Sequence, residues 1–124
     1  MRVEPVDDTV VRVRISDRLD VGNAEWVQER AAESMEEGKR LLILFEPKAF
    51  CDSHGIRAIL DLAEDARDRF GEDGLALVSE SRAADQVIEI TRMARRTLVY
   101  DSEEEALRAF SGAASGPTKG SVPD

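Results

Sequence analysis

Residues 41–56 read LLILFEPKAFCDSHGI. The run Leu41–Phe45 shows no alternation of apolar and polar side chains, which predicts a strand buried on both faces in the middle of a covered, parallel sheet. The stretch from Ile56 to Phe70 is amphipathic and predicts a helix. Between them lies a polar loop in which Asp52 or Ser53 can cap the helix. Because backbone N–H groups point outward at a helix start, such a loop in an α/β protein is a candidate functional site.

The rest of the chain also alternates between strand and helix patterns. Val11, Val13 and Ile15 fall on one face of a half-buried strand, with arginines between them. Further strands are predicted over Val3–Val6, Leu75–Val78 and Thr97–Tyr100, and further helices over residues 23–38, 81–90 and 102–110. The order β-β-α-β-α-β-α-β-α predicts an α/β domain with four helices and a mostly parallel sheet that has an antiparallel N-terminal edge.

The first two helices have recognisable apolar stripes. Ala24, Val27, Ala31 and Met35 recur at helical spacing behind an expected cap at Asn23. We expect Trp26, beside that stripe, to be partly buried. The second helix is expected to bury Ile56, Ile59, Leu60, Ala63, Ala66 and Phe70. Residues Ser102–Glu105 predict a capping box before the last helix. The arginines at the end of the third helix, Arg92, Arg95 and Arg96, are expected to face solvent as partners of the helix dipole.

Length and charge restrict the classes of function. The 124 residues suit one domain, expected over residues 1–110, and the Gly-, Ser-, Pro- and Ala-rich residues 111–124 predict a disordered tail. Acidic residues outnumber basic ones by 26 to 17, and the net charge of −9 repels nucleic acid. No apolar run approaches 18 residues, and no signal peptide is visible at the N-terminus, so we expect no membrane association and a cytoplasmic protein.

The polar loop contains residue types that occur in catalytic sites, but their spacing does not favour catalysis. Asp52, Ser53 and His54 are neighbours in sequence, and neighbours at a helix start point about 100° apart, so the imidazole is badly placed to take the serine proton. With one His, one Cys and no nucleotide-binding motif, we expect no cofactor. Asp20 and Asp52 could hold a divalent ion if their loops meet, but ordinary capping is the stronger explanation for both. Cys51 is expected to be a small buried residue, and Ser53 can be either a capping residue or a functional hydroxyl.

The chain resembles the STAS-domain anti-sigma factor antagonists of bacteria over about residues 3–110. Asp52-Ser53-His54-Gly55, followed by Ile56 and Leu60, is similar to the family's Asp-Ser-[Ser/Thr]-Gly-[Leu/Ile] signature after an apolar strand. Leu19-Asp20, the cap at Asn23 and the helix start at Ser81 also match. The chain departs from the family pattern at His54, at Ser16–Arg18, where the family has a glycine-containing turn, and at Met93–Arg96, where it has Ser-Gly-Leu.

The resemblance implies a STAS-like domain that acts as a regulatory binding module and not as an enzyme. It implies that Ser53 is phosphorylated by a partner that is both an anti-sigma factor and a serine kinase, and that a PP2C-type phosphatase removes the phosphate. The unphosphorylated form would bind that partner and release a sigma factor. Asp20, Asp52, Ser53, His54 and Gly55 would then lie at the partner-binding surface. The alternatives are a STAS-like scaffold or sensor that is not phosphorylated, and a small serine hydrolase.

Overall fold

We describe residues 2–71, 74–90 and 98–110 of a computed structural model of the chain. In chain order, the elements are β1 (Arg2–Pro5), β2 (Val10–Ile15), β3 (Arg18–Leu19), α1 (Ala24–Glu36), β4 (Arg40–Phe45), β5 (Phe50–Cys51), α2 (Ser53–Phe70), β6 (Leu75–Ser79), α3 (Arg82–Ile90), β7 (Leu98–Tyr100) and α4 (Glu103–Phe110). Thr97, Arg92, Arg95, Arg96, the Met93–Arg96 stretch and the predicted tail at 111–124 lie outside the described residues.

The main sheet has five strands in the order β1-β2-β4-β6-β7. β1 pairs with β2 in antiparallel orientation, whereas β2, β4, β6 and β7 run parallel, with Val13 opposite Ile43 and Ile43 opposite Leu77. The predicted α/β class, the central position of residues 41–45 and the antiparallel N-terminal edge are therefore confirmed. The first strand begins at Arg2 and ends at Pro5, and Val6 already belongs to the turn, where its N–H donates to the Val10 carbonyl oxygen over 2.9 Å.

Both faces of the sheet are covered, which explains why β4 is apolar throughout. Leu41, Ile43 and Phe45 belong to a core cluster with residues of α1, α2 and α3. Leu42 and Leu44 belong to a second cluster, on the opposite face, with Ala106 and Ala109 of α4. All five β4 residues from Leu41 to Phe45 are buried. A strand with a helical layer on each side has no solvent face, so it needs no polar alternation.

The helix stripes were predicted with different accuracy. In α1 the buried residues are Ala24, Val27, Ala31 and Met35, as predicted, while the Trp26 side chain is 45% exposed. In α2 the prediction was partly wrong, because the buried residues are Gly55, Ala58, Ile59, Leu62, Ala63 and Ala66. Ile56, Leu60 and Phe70 are only partly buried and pack at the margin of the core. Gly55, Ala58 and Leu62 lie at i, i+3 and i+7, so the sheet-facing stripe is rotated toward small residues that permit a close approach.

A second, two-stranded sheet was not predicted. β3 and β5 pair in parallel, with Arg18 opposite Phe50 and Leu19 opposite Cys51. Residues 16–22 and 50–55 lie between the strands and helices that the sequence predicts. Among the described residues, no helix combines the length and apolar character needed to cross a membrane.

Candidate functional site

The small sheet brings two loops together at one end of the fold. The Phe50 N–H donates to the Asp17 carbonyl oxygen over 2.8 Å, and the Asp52 N–H donates to the Leu19 carbonyl oxygen over 3.1 Å. Asp20 follows β3 directly and Asp52 follows β5 directly. Because the two strands are parallel, both aspartates leave them at the same edge. Asp20 and the stretch Asp52–Gly55 are therefore neighbours in space although they are separated by about thirty positions in sequence.

Asp52 is the N-cap of α2, which decides between the two capping residues that the sequence allowed. Its Oδ1 accepts hydrogen bonds from the N–H of His54, over 2.9 Å, and from the N–H of Gly55, over 3.0 Å. The hydrogen bond from the Gly55 N–H is the largest of the causes that lower the pKa of Asp52 below its ordinary value of 3.8. Desolvation opposes it, whereas the hydrogen bonds from the N–H groups of His54 and Val21 and the nearby imidazole lower the pKa further. The carboxylate is thus ionised at neutral pH and hydrogen-bonded to backbone N–H groups.

Ser53 is the first residue of α2, and its side chain is exposed. Its hydroxyl makes no hydrogen bond to any residue that the structure describes. Because Asp52 provides the cap, the hydroxyl of Ser53 is not needed for it and faces solvent at the positive end of the helix dipole. The geometry therefore favours a hydroxyl that is accessible to another molecule over a structural capping residue.

His54 is turned toward Asp52. The Nδ1 atom of His54 lies 3.8 Å from Oδ2 of Asp52, and the His54 side chain is 60% exposed. Within the described part of the chain, no hydrogen bond joins the imidazole of His54 to the hydroxyl of Ser53. The three side chains are therefore adjacent without the serine–histidine contact that nucleophilic catalysis requires.

Gly55 is buried because α2 begins directly against β3 and β5. A Cβ atom at Gly55 would lie 2.4 Å from the Leu19 carbonyl oxygen and 2.8 Å from the Cys51 sulfur. Cys51 itself is 3% exposed, as predicted for a small buried residue. Burial, with a smaller contribution from the charge of Asp52, raises the pKa of the Cys51 thiol from 9.0 to about 12, so the sulfur is protonated and unreactive at neutral pH.

The Asp20 carboxylate organises its own turn. Its Oδ1 accepts from the Gly22 N–H over 3.0 Å, and its Oδ2 lies 3.3 Å from Nε of Arg18. Asn23 does not cap α1 through its side chain, contrary to the prediction. Instead, its Oδ1 accepts from the Asp20 N–H over 2.9 Å and its Nδ2 donates to the Arg18 carbonyl oxygen over 2.7 Å. The side chain of Asn23 therefore closes the turn before the helix, and its oxygen is no longer available to the helix N–H groups.

The loops do meet, but among the described residues they bring together no set of metal ligands. In the ranges that the structure covers, no group of three or more His, Cys, Asp or Glu side chains is arranged to hold an ion. Asp20 and Asp52 both use their carboxylates in hydrogen bonds to backbone N–H groups of their own turns. These contacts agree with capping, which the sequence favoured over a metal site.

Two exposed apolar residues border the site and were missed by the sequence analysis. The Val21 side chain, next to Asp20, is 68% exposed, and the Phe50 side chain is 39% exposed. The Arg18 guanidinium carbon lies 5.1 Å from the centre of the Phe50 ring. The available signal was a large apolar residue inside each of two polar loops. It could not be interpreted before the pairing of β3 with β5 placed both loops beside Ser53.

Ser81 connects the site to α3. Its hydroxyl donates to the Ala49 carbonyl oxygen over 2.7 Å and accepts from the Ala84 N–H over 3.1 Å. The side chain is 1% exposed. Ser81 thus begins the helix, as predicted. Its hydrogen bond to Ala49 also fixes the backbone immediately before Phe50 and Cys51 of β5.

The order of elements and the loop geometry agree with a comparison of the chain with protein families. A model of the STAS domain matches residues 2–106. The chain belongs to the STAS domain family. The match covers every described element except the last residues of α4. No curated protein matches the sequence significantly.

Solved structures of anti-sigma factor antagonists have the same fold. One is an anti-sigma factor antagonist from Mycobacterium paratuberculosis, with 20% identity and a TM-score of 0.75 over 89% of this chain and 92% of that one. Another is the anti-sigma factor antagonist SpoIIAA in its unphosphorylated form, with 20% identity and a TM-score of 0.73 over 92% and 98%. The phosphorylated form of the Bacillus SpoIIAA has 19% identity and a TM-score of 0.59 over 87% and 96%. The STAS fold of this chain is therefore shown by its sequence and by its structure.

Proposed function

We propose that this STAS domain is an anti-sigma factor antagonist. It binds an anti-sigma factor that is also a serine kinase, and this binding releases a sigma factor. Phosphorylation of Ser53 by the same partner ends the interaction, and a PP2C-type phosphatase restores it. The protein acts in the cytoplasm, without catalytic activity and without contact to nucleic acid or membrane.

The observation that carries this proposal is the exposed hydroxyl of Ser53 at the first position of α2, which is bonded to none of the residues that the structure describes. A kinase must reach the acceptor oxygen, and a serine used as an N-cap would be engaged by the backbone. In this chain Asp52 takes that role with two hydrogen bonds of 2.9 and 3.0 Å. The similarity to one antagonist solved in both an unphosphorylated and a phosphorylated form gives further support.

The surface around Ser53 suits a protein partner. The pairing of β3 with β5 brings Asp20 and the stretch Asp52–Gly55 together, and Val21 and Phe50 add exposed apolar area at the margin. Exposed apolar side chains beside polar groups are typical of surfaces that bind other proteins. We assign the binding energy mainly to Val21 and Phe50 and the regulation to Ser53.

The expected effect of phosphorylation follows from charge. A phosphate adds about −1.5 to −2 charges at neutral pH, and the N-terminus of α2 tolerates an anion, so the fold survives. In the complex, the same phosphate would lose water at a surface that fits a hydroxyl, beside the ionised Asp52. A cost of even about 3 kcal/mol lowers the affinity more than 100-fold.

The alternative is a STAS-like scaffold or sensor that binds partners through the same surface without modification. His54, which stands where the antagonists that the chain resembles have a second Ser or Thr, motivates this alternative. A serine hydrolase is less well supported, since His54 contacts Asp52 and not Ser53.

The test uses the serine kinase encoded closest to this chain's gene, ATP and intact-mass spectrometry. Wild type and Ser34→Ala should gain one phosphate, whereas Ser53→Ala should gain none; Ser34 lies in the last turn of α1 and serves as the matched control. Calorimetric titration should show tight binding for wild type and Ser53→Ala, and binding at least about 100-fold weaker for the phosphorylated protein. Equal affinity for all forms would contradict the phosphorylation switch and favour the scaffold or sensor. Covalent labelling of Ser53 by a fluorophosphonate would favour the serine hydrolase.

A further inference from the structure

A groove runs along the N-terminal edge of the fold, between α1 and the edge strand β1. Its volume is about 440 Å³, and its wall is formed by Arg2, Val3, Glu4, Trp26, Arg30, Glu33, Ser34 and Glu37. None of these residues belongs to the Ser53 site. The Trp26 side chain is 45% exposed here, and the Arg30 guanidinium carbon lies 5.5 Å from the centre of its ring. We propose that this groove and the β1 edge form a two-fold interface with a second copy of the chain.

The register of β1 leaves one residue free to pair outward. The Val6 N–H donates to the Val10 carbonyl oxygen, so Val6 stands at a hydrogen-bonding position of the ladder, while the Val10 N–H donates to Oδ1 of Asp7. Hydrogen-bonded and non-hydrogen-bonded pairs alternate along an antiparallel ladder, which makes Val3 and Val13 a non-hydrogen-bonded pair in the observed register. The N–H and C=O of Val3 therefore point away from β2. Pro5 has the same orientation but no N–H, so Val3 is the position at which β1 can both donate and accept.

Pairing two β1 strands in antiparallel orientation about Val3 brings opposite charges together. Val3 of each copy would exchange two backbone hydrogen bonds with Val3 of the other. This register places Arg2 of one copy opposite Glu4 of the second copy, whose carboxylate also accepts hydrogen bonds from Arg12 and Arg14 of its own chain. Opposite charges directly across an antiparallel pair stabilise it, whereas like charges weaken it. Within the described residues, β1 has a strand neighbour on one side only, so its outer edge is available.

The helix that forms the other wall is complementary to itself in the same orientation. α1 and β1 both run opposite to β2, so antiparallel β1 strands require antiparallel α1 helices. On the groove face, Trp26 lies in the first half of α1, Arg30 is its central residue, Glu33 lies in the second half, and Glu37 follows the helix as its C-cap. Two reversed helices that cross between Arg30 and Glu37 bring each Arg30 toward Glu37 of the other copy. This segregation of charge is what a two-fold contact uses, because each patch meets its complement.

The first test is sedimentation equilibrium of the full chain at about 0.15 M salt, which screens the repulsion between two chains of net charge −9. We expect a reversible dimer with a dissociation constant below about 1 mM. Trp26 fluorescence should shift to shorter wavelength as the dimer forms. Val3→Pro removes the outward N–H without removing a bond to β2, and proline is tolerated in that orientation on an edge strand. It should weaken association at least about tenfold, whereas Val3→Ala, which keeps the N–H, should weaken it less.

The second test exchanges charges and does not depend on whether Val3→Pro folds. Arg30→Glu places two acidic groups together in its own dimer, and Glu37→Arg places two basic groups together, so each variant alone should be monomeric. A mixture of the two restores both attractive pairs and should form the mixed dimer. A wild-type chain that is monomeric at about 1 mM overturns the proposal. Variants that associate with themselves as strongly as with each other also overturn it.

Discussion

The start of α2 packs directly on β3 through Gly55 and Leu19: a Cβ atom at Gly55 would lie 2.4 Å from the Leu19 carbonyl oxygen. That oxygen also accepts the Asp52 N–H over 3.1 Å, so its position is fixed by the pairing of β3 with β5. One close backbone contact therefore holds the loop that contains Asp20 against the loop that contains Ser53.

Gly55→Ala should destabilise the protein although alanine favours helices. The helical preference of alanine over glycine is worth about 1 kcal/mol. The new methyl group, however, would clash sterically with the Leu19 carbonyl oxygen, which cannot move without breaking the pairing of β3 with β5. Overpacking of this kind costs about 1–3 kcal/mol, so the clash outweighs the helical preference. Urea denaturation measures the change.

Arg57→Ala is the matched control in the same helix. The Arg57 side chain is 81% exposed and makes one long contact, of 3.7 Å, with Asp61. We expect a change in unfolding free energy below about 0.5 kcal/mol. A Gly55→Ala protein as stable as Arg57→Ala would mean that α2 is not held against Leu19 as described.

Replacing Asp52 should separate the capping role of its side chain from its charge. Asp52→Ala leaves the N–H groups of His54 and Gly55 without their acceptor and should lower Tm by a few degrees, whereas Asp52→Asn keeps an oxygen cap. Because the folded pKa of Asp52 is below 3.8, its charge stabilises the fold above about pH 4, and this contribution is lost as pH falls through the folded pKa.

The difference in Tm between wild type and Asp52→Asn should therefore shrink as the pH is lowered below about 4. Thermal denaturation followed by circular dichroism between about pH 2.5 and 7 gives this comparison. A difference that stays constant over the whole range would show that the charge of Asp52 makes no contribution to stability.

The Cys51 thiol should resist alkylation in the native protein. Burial raises its pKa to about 12, so iodoacetamide at about pH 8 meets a buried and protonated sulfur, while the unfolded chain reacts freely. Since the unfolded thiol ionises near pH 9 and the native thiol does not, stability should fall as pH rises from about 9 toward 12. Ser53→Cys provides the exposed control thiol two positions away. Complete labelling of both sites at equal rates would contradict the buried placement.

Ile43→Asp should prevent folding. Ile43 lies in the central strand and is 1% exposed, with Val13 on one side and Leu77 on the other. A carboxylate buried there without a partner costs several kcal/mol, which is comparable to the whole stability of a domain. Val21→Asp introduces the same group at a side chain that is 68% exposed and should leave the fold intact. A cooperative melting transition for Ile43→Asp would show that the strand is placed wrongly.

Local patterns were sufficient for most of the architecture. The unbroken apolar run Leu41–Phe45 indicated a strand covered on both faces, and the stripe through Val27, Ala31 and Met35 indicated the buried face of α1. Both were confirmed because burial of these faces dominates the free energy of folding, and burial leaves a period in the sequence. The resemblance to STAS domains rested on the short stretch Asp52–Gly55 within the right order of elements and was also confirmed. The tail at 111–124 and the phosphorylation of Ser53 stay predictions.

The sequence by itself determined the α/β fold, the central strand and the family of this protein, because each depends on a pattern repeated over many residues. Only the tertiary structure decided how the site is assembled. β3 and β5 are two residues long and have no period to detect, yet their pairing brings Asp20 and Val21 to Ser53. The same holds for Asn23, whose amide closes a turn and does not cap α1. Such contacts either join residues distant in sequence or are chosen from several hydrogen bonds of nearly equal energy. Which of them form depends on the groups that the packed core brings within reach.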